Sequence, residues 1–177
     1  MKTDVRSKMY EIIRVAELRG FNDEEELADH LRSVAVAAGE ASPFRLQGSP
    51  GGNAATVCSI LTIRKHIEFS VKLRLIQFAD GGLLPYQPLV RFTDQVDKII
   101  ARALWAYLER EGVSRRKLRA AMKSAPIHDP MSLWGEFPVR KIARDDFRRC
   151  VYLLSQLDTE LVVNRKWTYH FRDELID

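Results

Sequence analysis

Along residues 67–75 apolar and polar side chains alternate without a break. Ile67, Phe69, Val71, Leu73 and Leu75 take one phase, and Glu68, Ser70, Lys72 and Arg74 take the other, with His66 just ahead of them. Side chains along a strand point to opposite faces in turn, so this period of two predicts a strand with one face in a core and one in water. The β-branched and apolar stretch 57–63 predicts a strand as well. Arg64-Lys65 is then either a tight turn between two strands or part of one long strand. Asp80-Gly81-Gly82 has the composition of a hairpin turn. Residues 83–92 read as a returning edge strand, because Pro85 and Pro88 cannot donate to a central ladder.

Helices flank this region. Met9, Ile12, Ile13 and Ala16 recur at helical spacing, and Gly20 stands where a helix would end. A second helix follows, with Asn22 as its cap and Glu25 three residues on. Glu24, Glu25 and Glu26 crowd its first turn, where the helix dipole favours anions. Leu27, Leu31, Val34 and Ala38 form its apolar stripe up to Gly39, so the first two helices read as a hairpin. Residues 42–53, with Pro43, Gly48, Pro50, Gly51 and Gly52, read as a connecting loop.

Thr93 or Asp94 caps a further helix with the stripe Val96, Ile99, Ile100, Ala103, Leu104, Tyr107 and Leu108, ended by Gly112. Ser114 caps a short helix to about Lys123. Pro126 and Pro130 mark a loop, with Leu133, Trp134 and Phe137 packing it down. Asp145 starts a last helix carrying Phe147, Val151, Leu154 and Leu157 on one face. Val163, Arg165, Trp167, Tyr169 and Phe171 alternate with polar residues and read as a closing strand. Its aromatic residues are expected in the core rather than on a base-stacking platform.

The expected fold is therefore α+β, with an N-terminal helical hairpin, a central antiparallel sheet, a helix–turn–helix-like unit and a closing C-terminal strand. A chain of 177 residues, 46% hydrophobic and 29% charged, suits one domain spanning 1–177. No apolar run is long enough to span a bilayer, and residues 1–10 lack the apolar core of a secretory signal, so no membrane partner is expected. Cys58 and Cys150 lie far apart in apolar runs and read as buried thiols in a reducing, cytoplasmic compartment. A net charge of +4 and a pI near 9.2 permit an anionic partner without requiring one.

Residues 104–123 carry the sharpest functional feature. An apolar helix ends at Gly112, Val113 follows, Ser114 caps, and a second helix sets Leu118 and Ala121 inward. The spacing resembles the helix–turn–helix pattern, with Leu108 where that pattern usually carries alanine. The second helix bears Arg115, Arg116, Lys117, Arg119 and Lys123 and no acid. A row of cations on one helix can displace counterions from the dense charge of a duplex, and arginines there can read guanine edges. The i, i+4 spacing sets Arg115 and Arg119 on one side, which the sequence predicts to be the contacting side. Lys72 and Arg74, as strand cations, would extend the track.

Other chemistry is poorly supported. His66, Glu68, Ser70, Lys72 and Arg74 on one strand face hint at a metal-dependent nuclease, but the acid and lysine are four apart rather than two. The four histidines and two cysteines are scattered, so no metal is expected. The loop from Gly48 to Gly52 has no phosphate-binding lysine and opens no helix, and no serine elbow occurs, so no cofactor and no enzyme activity are expected. The leading expectation is non-enzymatic nucleic-acid binding, DNA favoured, as a regulator or accessory factor of a replication or mobile-element system. The alternative is an assembly subunit with a protein partner, docking through an acidic helix at residues 23–29 and the basic helix.

Overall fold

The computed structural model describes residues 5–18, 20–38, 42–46, 56–79, 82–85, 93–123, 130–135, 142–157, 160–163 and 169–171. They fall in two compact units, Met1–Val90 and Arg91–Asp177. Most of them are helical, and the strands pair only two by two. The expected central antiparallel sheet is not formed, and the fold is not α+β in the sense the alternation suggested.

In the first unit α1 (Val5–Leu18) and α2 (Glu24–Ala37) appear where the periodicity places them. The cap of α2 is one residue later than expected. Asp23 accepts from the Glu26 backbone N–H at 2.8 Å, and the Glu26 carboxylate reaches back to the Asn22 N–H at 2.8 Å. The buried stripe is Leu27, Ala28, Leu31 and Ala35, while Ala38 is exposed. Two short pairs, β1 (Arg45–Leu46) with β2 (Thr56–Val57) and β3 (Ile76–Ala79) with β4 (Gly82–Pro85), are both antiparallel. Arg45–Leu46 thus lies in a strand where a loop was expected, and Gly82, expected in a turn, is the first residue of β4, while Asp80 and Gly81 lie outside the described residues.

The main correction lies between them. Residues 67–72 are not a strand but the second half of α3 (Ile60–Lys72), and of the strand expected over 57–63 only Val57 lies in a strand, β2. Ser59 caps α3, accepting from the Thr62 N–H at 3.2 Å. The buried residues Ile63, His66, Ile67 and Ser70 recur at three and four, so the helix period organises the segment. The odd-numbered residues are also largely buried, which is why both periods fit the sequence. Ile63 and Ile67 join Ile12, Ala16, Phe21, Leu27, Leu31 and Phe44 in one apolar core.

Helix α3 ends with Arg74 in the left-handed region at φ 57°. The Leu75 N–H donates to the Ser70 carbonyl at 3.0 Å and the Arg74 N–H to that of Val71 at 2.8 Å, the paired bonds of a Schellman cap.

In the second unit α4 (Thr93–Arg110) packs against α7 (Arg144–Leu157), with α6 (Pro130–Trp134) and β5 (Leu161–Val163) also on α7. Thr93 is inside α4 rather than ahead of it. Val96, Ile100, Leu104, Leu108, Phe147, Val151 and Leu154 are buried. Trp134 donates its indole N–H to the Ile142 carbonyl at 3.1 Å; Phe137 and Trp167 lie outside the described residues. The closing element is not one strand through residue 171: β5 pairs antiparallel with β6 (Tyr169–Phe171), and Phe171 is fully buried.

Candidate nucleic-acid interface

Five of the seven candidate cations share one short helix, α5 (Arg115–Lys123), and its entry is tightly built. Gly112 ends α4 at φ 89°. The Val113 N–H donates to the Leu108 carbonyl at 2.8 Å, and the Gly112 N–H to that of Glu109 at 3.0 Å. Val113 and Leu108, the residues this cap brings together, are both buried. Ser114 then caps α5, its hydroxyl accepting from the Lys117 N–H at 3.3 Å. This is the helix, glycine turn and capped helix that the spacing predicts.

Leu118 and Met122 turn α5 inward, Met122 replacing the expected Ala121. That one-residue difference rotates the basic face. At about 100° per residue, Arg115 and Arg119 fall beside Leu118 and Met122, whereas Arg116, Ala120 and Lys123 lie opposite and Lys117 flanks them. The ring contacts agree. The Arg115 guanidinium sits over the Trp105 ring at 4.6 Å, and Arg119 sits over the Phe171 ring at 4.6 Å. Trp105 and Phe171 are themselves stacked, with centroids 6.4 Å apart and planes at 26°. Arg115 Nη1 also donates to both carboxylate oxygens of Glu160, at 3.1 and 3.2 Å.

The side expected to contact nucleic acid therefore rests on the protein's own aromatic rings. Arg116, Lys117 and Lys123 are exposed. These three form the outward basic face. Arg115, Arg116 and Lys117 also occupy the first turn of α5, where no acid is present. Cations there oppose the helix dipole. Glu160 offsets this for Arg115.

No protein-family model, curated protein or solved structure matches the chain.

Lys72 and Arg74 belong to the other compact unit. Lys72 lies in the last turn of α3 and Arg74 follows at its cap, so neither is a strand cation. The polar strand face read as a nuclease hint is taken apart by the helix. His66 and Ser70 are buried, and the Ser70 hydroxyl donates to the His66 carbonyl at 2.9 Å; Glu68 is exposed on the other side. Among the described residues no group of three or more His, Cys, Asp or Glu is placed to hold a metal ion, and no helix is long and apolar enough to cross a membrane.

The pairing of α5 with Trp105, Phe171 and Glu160 was not visible in the sequence. A second polar contact of this unit also escaped it. The Tyr107 hydroxyl approaches Asp146 at 3.5 Å across α4 and α7, and Arg149 lies 3.7 Å from the same carboxylate. Burial, then the Asp146 charge, push the Tyr107 phenol above its ordinary range, so it stays protonated as a donor.

Proposed function

We propose that the chain is a non-enzymatic nucleic-acid-binding protein, duplex DNA favoured, that meets phosphates with the outward face of α5. The observation that carries this reading is the sorting of the five α5 cations. Two are turned onto aromatic rings, while Arg116, Lys117 and Lys123 face solvent on a helix without an acid. Arg116 and Lys123 are seven residues apart, about 10 Å along one side of the helix, a separation that suits successive points on a polyanion. Cations in a first turn cost helix stability, and a phosphate beside that turn would neutralise them while accepting from its N–H groups. The basic helix also follows a tight helix turn, the arrangement by which short helices are offered to a groove.

Affinity for random duplex and single-stranded DNA, measured against salt, tests this. Arg116→Ala with Lys117→Ala is expected to reduce the log–log salt slope of duplex binding by about 0.9 for each of the two side chains that meets a phosphate, with helicity unchanged. Unchanged affinity and slope in the folded double variant would remove α5 from the site. No binding by the wild type at low salt would end the nucleic-acid reading.

A further inference from the structure

Arg115 takes its acid partner from outside its own helix. Its guanidinium is held between the Trp105 ring and the two carboxylate oxygens of Glu160, just ahead of β5. Both side chains of the pair remain accessible, at 43% for Arg115 and 46% for Glu160. An ion pair so open to water is weak and screened by salt. Arg115 is also the first residue of α5, beside Arg116 and Lys117, so its long side chain has the reach to join their face.

We propose that Arg115 is a fourth phosphate-binding residue, held in reserve by Glu160. The inference rests on the reading of α5 as a phosphate-contacting helix. In the free protein Glu160 holds the guanidinium on Trp105. Near a polyanion the phosphates compete with a single carboxylate for the same planar donor, which suits either ligand. Glu160 therefore acts against binding twice, by occupying Arg115 and by placing a negative charge beside the basic turn. Removing it should free a phosphate-binding group rather than only weaken a repulsion.

The two effects separate in a double-mutant cycle. Binding of the full chain to a random-sequence DNA duplex is measured against salt for the wild type, Glu160→Gln, Arg115→Ala and the double variant. Glu160→Ala accompanies Glu160→Gln, because the amide can still accept from Arg115. Removing the carboxylate is expected to tighten binding about two- to fivefold at fixed salt, the range to which a half-exposed ion pair converts. It should also steepen the salt slope by about 0.9, the increment of one neutralised duplex phosphate. In the Arg115→Ala background the same change should leave the slope unchanged and give only the smaller gain of a removed repulsion. If the wild type binds but both Glu160 variants bind as it does, the reserve role of Arg115 is overturned while the α5 reading stands. An undiminished gain and an equally steepened slope without Arg115 also overturn it, leaving Glu160 as a general repulsive charge. A wild type that does not bind removes the α5 reading itself, and this inference with it.

Discussion

The guanidinium of Arg119 lies 4.6 Å from the centroid of the fully buried Phe171 ring. An arginine on a basic helix is thus a packing residue that ties α5 to β6. Cation–π attraction at a partly covered site contributes about 0.5–2 kcal/mol, and the aliphatic stem adds apolar cover. Arg119→Ala should therefore destabilise the second unit by about 1–2 kcal/mol in chemical denaturation, whereas Arg116→Ala should stay within about 0.5 kcal/mol. Equal costs would mean that the face of α5 is assigned wrongly.

That contrast marks how far the sequence is legible. The helix, glycine turn and serine cap at residues 104–123 are local, and each follows from the character of one or two residues. The facing of α5 turns on Met122 rather than Ala121 taking the core. Arg115 and Arg119 border that buried face, and their ring partners come from α4 and β6, which no local pattern encodes. At α3 the ambiguity is of period. Two of its five buried residues are His66 and Ser70, so hydrophobicity alone favoured the alternating set. The signals for a helix were present in Ser59, three residues before Thr62, and in Lys72 at the last turn.

Arg74 and Gly112 occupy the same position in two equivalent helix caps, and only one of them is glycine. A side chain in the left-handed region is disfavoured by about 1–2 kcal/mol, and glycine recovers most of this against its greater freedom in the unfolded chain. Arg74→Gly should stabilise the first unit by about 0.5–1 kcal/mol. Gly112→Ala should destabilise the second by a similar amount. Denaturant midpoints check both, and a destabilised Arg74→Gly would show that the Arg74 side chain itself contributes more than its backbone costs.

Cys58 is buried in the first unit and Cys150 in the second. Burial, then the Asp146 charge, hold the Cys150 thiol well above its ordinary range, with Arg149 opposing them. Since both thiols are buried out of reach of a reagent, neither cysteine should label with a thiol reagent in the native protein, and both should label in denaturant. Under partial denaturation each becomes a reporter of its own unit. Rapid native labelling of Cys150 would contradict its burial on α7.

Glu24 sits in the first turn of α2, where its charge should be welcome, yet its carboxyl is pushed above the ordinary range. Burial is the largest cause, the Glu68 charge on α3 the next, and Arg64 opposes them. The fold therefore binds the Glu24 proton more tightly than the unfolded chain does. The stability that follows is fully present below the unfolded pKa and is lost as pH rises through the folded one. At neutral pH the ionised carboxylate works against the first unit, so Glu24→Gln should raise its melting temperature there. The advantage should close on acidification, as the wild-type carboxyl takes up its proton from above the ordinary carboxylate range. Asp23 still supplies the cap in the variant, so helix initiation is kept. Melting curves at neutral and acid pH decide between the opposing influences. A variant less stable than the wild type at neutral pH would mean that the helix dipole, worth about 0.3–1 kcal/mol at such a site, outweighs the burial of Glu24 and its repulsion by Glu68.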